Sequence, residues 1–323
     1  MSTVKVVVPD DFPISYGSVT HPDLARLQPY GEIVTHTTRF ADRGEFFHRI
    51  AEANVVINVR AYSRFDDEAL SHAPNLKMIS VQGVGTDNID LAAARARGVV
   101  VTNTPGVNAV SVAEMAIGLI FSVARAIPLS DQRMRAGIWQ HPPAFELQGK
   151  TIGLLGLGAI GSYTAKLAAG LGMKPIAWSW NLDQERAQRL GVELVDRDEL
   201  FRRSDIVSVH LKNTPEARGS VGKRELSLMK PSAILINTAR AAILDQDAVV
   251  EALTSGQIAG AGLDVYLTEP LPPDENPFKT MENVVLMPHA GGVTAESSVR
   301  SNKAPVDNVI AFLEGNPVNI VNP

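Results

Sequence analysis

Three side chains of different type follow three apolar runs in the second half of the sequence. Arg240 closes AILINTAR (233–240), Glu269 lies in YLTEP just after GAGLDV (260–265), and His289 ends NVVLMPH (283–289) before Ala-Gly-Gly. Each run is short, mostly apolar and bounded by turn residues, so each is predicted to be a buried strand. In an open α/β sheet ligands bind beyond the carboxyl ends of the strands. The three residues are therefore expected on one rim, as a set suited to reducing a 2-keto acid. A guanidinium grips a carboxylate and polarises the carbonyl beside it. An imidazole gives a proton to the alkoxide oxygen as it forms. A carboxylate next to that imidazole holds it in place and favours its charged form. The other histidines have plainer readings. His21, His36, His48, His72 and His141 fall in helices, turns or a strand of the outer region, and His210 ends a strand with no acid beside it.

A second feature supplies the hydride donor. TIGLLGLGAIGSYTAKLAAGLG (151–172) reads as strand, glycine turn and helix, with Gly156, Gly158 and Gly161 in a G-x-G-x-x-G pattern. The first glycine permits the turn, the second lets backbone approach a pyrophosphate, and the third lets the helix pack on the strand. The N–H groups of Ala159, Ile160 and Gly161 then face the phosphates. A carboxylate for the adenosine ribose is expected at the end of the next strand. That strand, KPIAWSW (174–180), ends in Trp178, Ser179, Trp180 and Asn181, and the first acid is Asp183 in the following helix. A carboxylate would repel a 2′-phosphate, whereas Ser179 or Asn181 can donate to one. The cofactor is read as NAD or NADP, with NADP favoured. Arg186 and Arg189 are nearby in sequence and could turn inward, but a solvated helix face is the plainer reading for each.

The elements that must position these residues repeat along the chain. VKVVV (4–8), EIVTH (32–36), VVINV (55–59), KMISV (77–81) and VVVTN (99–103) alternate with helix-like segments that begin with cap or acidic residues. TIGLLGL, KPIAWSW, IVSVHL, AILINT, GAGLDV and NVVLMPH make six more strands. Strand–helix alternation implies α/β architecture: two doubly wound parallel sheets, each covered on both faces. Between them, the first part of residues 108–137 is apolar on nearly all sides, so it must be buried between domains or against another subunit. A chain of 323 residues with 45% hydrophobic and 20% charged residues suits two soluble cores. Its net charge of −5 disfavours nucleic acid as a partner, and zero cysteines exclude disulfides, thiolate metal sites and a cysteine nucleophile. MSTVKVVVPDD lacks the pattern of a signal peptide, and the apolar runs are short for a membrane span. A cytoplasmic place is expected, and no metal is called for.

In this order and spacing, GLLGLGAIG, NTAR followed by LD, LDVYLTEPLP and MPHAGGVT resemble the D-isomer-specific 2-hydroxyacid dehydrogenases, and VQGVGTDNIDL (81–91) and NTPGVNAVSVAE (103–114) resemble that family's N-domain and hinge motifs. The resemblance implies a flavodoxin-like substrate domain (1–102 and 291–323) with a Rossmann NAD(P)-binding domain (103–290) inserted, and a homodimer formed through 103–150. It implies that Arg240 binds substrate, that Glu269 pairs with the acid/base His289, and that Val84 and Gly85 offer backbone donors to the substrate carboxylate. Asp264 is placed near the nicotinamide amide, and Ser111, Val112, His210, Thr238, Ala239 and Gly291 fall in segments that touch the cofactor. Arg60 and Arg64 are candidates to reach a polar substrate tail. Val81 stands where phosphoglycerate dehydrogenases carry an arginine, and the chain ends at 323 without a regulatory domain, so glyoxylate, hydroxypyruvate or a similar acid is favoured over 3-phosphoglycerate. The alternatives are a non-catalytic NAD(H)-sensing protein, as the co-repressors of this family are, and a formate dehydrogenase, whose branch has glutamine where this chain has Glu269.

Overall fold

Short polar side chains start most of the helices. Asp42, Asp66, Asp90, Asp183, Asp245 and Thr294 each accept a backbone N–H from three residues on, closing the first turn. Between these caps lie the apolar runs, several of them wholly buried, as inner strands of a sheet covered on both faces must be. The computed structural model describes residues 4–59, 62–181 and 183–323. The chain divides into two compact units, 1–108 with 294–323, and 109–293.

The first unit runs β1 (Val4–Val8), α1 (Pro22–Ala25), β2 (Gly31–Thr35), α2 (Arg43–Ile50), β3 (Val55–Asn58), α3 (Asp67–Ser71), β4 (Met78–Val81), α4 (Leu91–Ala96) and β5 (Val100–Thr102). The second begins with α5 (Ala109–Ala124) and α6 (Ile127–Arg135). It continues through β6 (Thr151–Leu155), α7 (Ala159–Gly170), β7 (Lys174–Trp178), α8 (Gln184–Leu190), β8 (Glu193–Leu194), α9 (Arg197–Arg203) and β9 (Ile206–Val209). It closes with α10 (Lys223–Leu228), β10 (Ile234–Asn237), α11 (Gln246–Thr254), β11 (Gly260–Leu263) and β12 (Val284–Leu286). Helix α12 (Ala295–Leu313) then returns to the first unit.

All strand pairs are parallel. The first sheet has the order β2-β1-β3-β4-β5 and the second β12-β11-β10-β9-β6-β7-β8. These are the flavodoxin-like and Rossmann orders, so the expected pair of doubly wound sheets is present. Alternation splits each core in two. Val7 packs with Phe46 and Ile50 of α2, whereas Val6 and Val8 pack with Val306 and Val309 of α12. In the second unit Leu154 faces α5 and α7, and Leu155 faces α9 to α11.

One expectation needs correction. The second sheet has a seventh strand, β8, a two-residue edge pairing with β7 that carries no alternating pattern of its own. Within 108–137 the apolar first part is α5, and Ala126, with a left-handed φ of 48°, redirects the chain into α6. Helix α5 buries one face, with Ala116, Leu119, Ile120 and Ala124, in the core of its own unit. Among the described residues no single helix is long and apolar enough to cross a membrane. The pair α5–α6 meets that test only jointly, bent by 58°.

Packing is close where α9 lies on β6. A Cβ built on Gly153 would sit 2.1 Å from Ser204 Oγ and 2.8 Å from a Leu200 methyl carbon. The Gly153→Ala variant is expected to lose about 1–3 kcal/mol of stability through overpacking. Urea unfolding indistinguishable from wild type would overturn this close approach.

Candidate active site

The carboxyl ends of the second sheet form one rim. His289 follows β12, Glu269 follows β11, Arg240 follows β10, His210 follows β9, the glycine turn follows β6 and Ser179 follows β7. With strands about 4.8 Å apart, the four intervals from β7 to β11 span about 19 Å. An extended ligand can therefore lie along the rim with its two ends over different chemistry.

At one end His289 and Glu269 are in direct contact, Nδ1 to Oε2, at 2.6 Å. The other oxygen, Oε1, accepts the backbone N–H of Tyr266 at 2.9 Å. Burial pushes the Glu269 carboxyl up, but the His289 bond, the Tyr266 N–H and the charges of His289 and Arg240 outweigh it and hold it below the usual carboxylate value. An ionised carboxylate only accepts, so Nδ1 carries the hydrogen and Nε2 is the ring atom left for a substrate. The backbone of His289 is left-handed, with φ 53°, an uncommon state for a residue with a side chain.

That turn is held from beneath. Asp264, at the end of β11 and 1% exposed, accepts the N–H of Ala290 with Oδ1 and the N–H of Gly291 with Oδ2, both at 2.8 Å. Burial raises its carboxyl above the usual value, although the two N–H bonds act in the opposite direction. Gly291 leaves room for this clamp, since a Cβ there would sit 2.8 Å from Asp264 Oδ2. The hydroxyl of Tyr266 donates to the carbonyl of Met287 at 2.9 Å and so ties the end of β11 to the end of β12. Burial pushes this phenol up to about 12, which keeps it a donor. Sequence reasoning gave Tyr266 no role, because its partner lies across the sheet.

Arg240 stands on a turn braced by one buried amide. Asn237 Nδ2 donates to the carbonyl of Arg240 at 3.1 Å, and its Oδ1 accepts the N–H of Ala239 at 3.0 Å. Arg240 Nη1 donates to the carbonyl of Ala239 at 2.8 Å. Its charge contributes to holding Glu269 ionised, so the two groups are close enough to interact. Beside it, the Thr238 hydroxyl is buried with no partner among the described residues.

At the glycine turn the three glycines differ as the sequence predicts. A Cβ on Gly156 would meet the His210 carbonyl at 2.8 Å, and Gly156 itself has φ 101°. On Gly161 a Cβ would lie 2.2 Å from the Gly156 carbonyl, whereas on Gly158 it would meet nothing within 4 Å. No side chain caps α7 at Gly158, so the N–H groups of Ala159 and Ile160 open onto free space suited to a pyrophosphate. The open cradle and the unpartnered Thr238 hydroxyl fit a nicotinamide dinucleotide. His210 packs under the turn with Nε2 2.9 Å from Ser208 Oγ, and burial pushes its imidazole down to about 4, leaving it neutral.

The remaining candidates are distributed as follows. Ser111 and Val112 are buried in the first turn of α5, and Met115 one turn on lies 3.7 Å from where a Gly291 Cβ would be. Ser179 is half-buried at the end of β7. Arg186 takes the inward alternative with one nitrogen, its Nη1 donating to the carbonyl of Leu157 inside the glycine turn at 3.0 Å, while its side chain stays 40% exposed. Arg189 is exposed as expected. In the first unit, Val84 and Gly85 lie in the loop after β4. Thr104 Oγ1 accepts the Gly83 N–H at 2.7 Å, and Asn103 Nδ2 donates to the Val84 carbonyl at 2.8 Å. Arg64 is exposed, 3.9 Å from Asp66, and Arg60 lies outside the described residues.

Residues 117–291 match the family model described as D-isomer specific 2-hydroxyacid dehydrogenase, NAD binding domain. A glyoxylate reductase of Thermococcus litoralis is 42% identical over 290 residues, 87% of each chain. A D-3-phosphoglycerate dehydrogenase of Archaeoglobus fulgidus is 40% identical over 87% of this chain, which spans only 53% of that protein. Among solved structures, an acyclic imino acid reductase in complex with NADPH and D-Arg superposes with a TM-score of 0.88 at 27% identity, covering 98% of this chain and 100% of that one.

The Asp264 clamp yields a prediction. In Asp264→Asn one acceptor becomes an NH₂ group facing a backbone N–H, so one of the two bonds is lost. A destabilisation of about 1–3 kcal/mol is expected, and a melting temperature equal to wild type would show that the clamp carries no energy.

Proposed function

We propose a reductase of small 2-keto acids, on the premise that the chain belongs to the D-isomer specific 2-hydroxyacid dehydrogenase family. It is thus an NAD(P)-binding oxidoreductase that interconverts small 2-hydroxy and 2-keto acids. Glyoxylate, hydroxypyruvate or a similar short acid is the proposed substrate, supported by the glyoxylate reductase relative. The observation that carries the residue assignments is the 2.6 Å His289–Glu269 bond one strand away from Arg240.

When bound, the reduced nicotinamide supplies a hydride to the keto carbon. Arg240 pairs with the substrate carboxylate and draws electron density from the carbonyl. Protonated His289 donates the Nε2 hydrogen to the carbonyl oxygen as it becomes an alkoxide, and it regains a proton from solvent afterwards. Glu269 fixes the ring and stabilises its charge. Its carboxyl lies below the usual value, so the pair is intact above the ordinary carboxylate range and is lost only as pH falls through that lowered value. The roles of Val84 and Gly85 as carboxylate donors, and of residues 1–102 with 291–323 as the substrate domain, rest on the family resemblance.

Selectivity leans toward NADP, because β7 ends in Ser179 where NAD-selective folds carry an acid. A homodimer through 103–150 is supported by an exposed apolar series, Ile127, Met134, Ile138 and Trp139, the last 79% exposed. Sedimentation of the protein at the mass of one chain would overturn that assembly.

Turnover of His289→Ala with glyoxylate or hydroxypyruvate should fall by about 10²–10⁴. In Glu269→Gln turnover should also fall, since the ionised acceptor that fixes the imidazole through Nδ1 is gone. Full activity in either variant would remove these assignments.

A further inference from the structure

The glycine turn is tied on two sides. The N–H of Gly156 donates to the carbonyl of Trp178 at 2.8 Å, which brings the end of β7 against the turn. From the other side Arg186, in the first turn of α8, donates Nη1 to the Leu157 carbonyl at 3.0 Å. The direction of this guanidinium is fixed by Asp183. One carboxylate oxygen caps α8 by accepting the Arg186 N–H at 2.8 Å, and the other lies 3.3 Å from Arg186 Nε. Nη2 makes no bond among the described residues.

Ser179 joins the same spot. Ala177 packs into the core beneath α7 and α8, and Trp178 packs into the opposite one. Ser179 directly follows the end of β7, beside the turn that Arg186 reaches. A dinucleotide whose pyrophosphate rests on the start of α7 brings its adenosine ribose to the end of β7. At that place the chain offers a hydroxyl and a guanidinium, and the nearby carboxylate of Asp183 is already engaged by Arg186.

We propose that Arg186, braced on the Leu157 carbonyl, is the residue that selects a ribose 2′-phosphate, with the Ser179 hydroxyl as a second donor. This rests on the dinucleotide reading of the turn and extends it to the charge of the ribose. A phosphate monoester takes hydrogen bonds from Nη2 and Ser179 and is attracted by the guanidinium charge. An unphosphorylated ribose gains nothing from that charge.

The test is binding, independent of turnover. NADPH and NADH are titrated into the full-length protein, with quenching of Trp178 and Trp180 fluorescence as the signal. Arg186→Ala and Arg186→Gln are compared with wild type, the glutamine retaining a donor for the Leu157 carbonyl. NADPH should bind wild type more tightly than NADH. Both variants should lose about 10- to 100-fold in NADPH affinity while NADH affinity changes by less than about twofold. Equal losses for both cofactors would make Arg186 a brace only and overturn the proposal. A wild-type preference for NADPH that survives in both variants would overturn Arg186 and leave the NADP reading standing. A wild type that prefers NADH, or binds neither, would overturn the cofactor reading and this proposal with it.

Discussion

Parallel pairing of β10, β11 and β12 is the constraint on which the site depends. Parallel ladders put equivalent ends of neighbouring strands at one level, and the register holds Asn237 beside Leu263 and Leu263 beside Leu286. Whatever follows each strand then emerges on the same rim. Arg240, Glu269 and His289 are far apart in sequence, yet each is only a few residues beyond the end of an adjacent strand. No antiparallel arrangement of the same strands would do this, because alternate ends would point to opposite edges.

Pairing alone leaves the side chains loosely aimed, and buried polar groups supply the rest. Asp264, Asn237 and the Tyr266 hydroxyl each satisfy backbone groups just past a strand end. Taking them out of water is unfavourable unless every bond is made. Once made, these bonds hold His289 in a backbone state it would otherwise rarely visit. Asp264 illustrates the balance: burial pushes its carboxyl up while two N–H donors pull it back.

The glycine turn shows one residue type serving two physical ends. At Gly156 and Gly161 a side chain would strike backbone, so the constraint is packing. At Gly158 nothing stands in the way, so the constraint is the space itself, which a bound phosphate needs. The same turn is bonded to β7 and α8, so the geometry that binds pyrophosphate also decides what the adenosine ribose meets.

Much of this was legible in the linear order of residues. Burial on both faces writes strands as continuous apolar runs, caps write helix starts, and the spacing of three glycines writes the turn, so two doubly wound sheets could be read before any coordinates. The types Arg, Glu and His after three late strands pointed to their chemistry, and kinship to a family pointed to Val84 and Gly85. Strand β8 escaped because two residues carry no period, and the break at Ala126 escaped because an alanine gives no sign of a left-handed turn. The Tyr266–Met287 bond, the hold of Asp264 on the 290–291 backbone and the inward turn of Arg186 belong to tertiary structure alone. Local sequence encodes which face of an element is buried. Which distant carbonyl or carboxylate a polar side chain meets is settled only when the sheet brings those partners together.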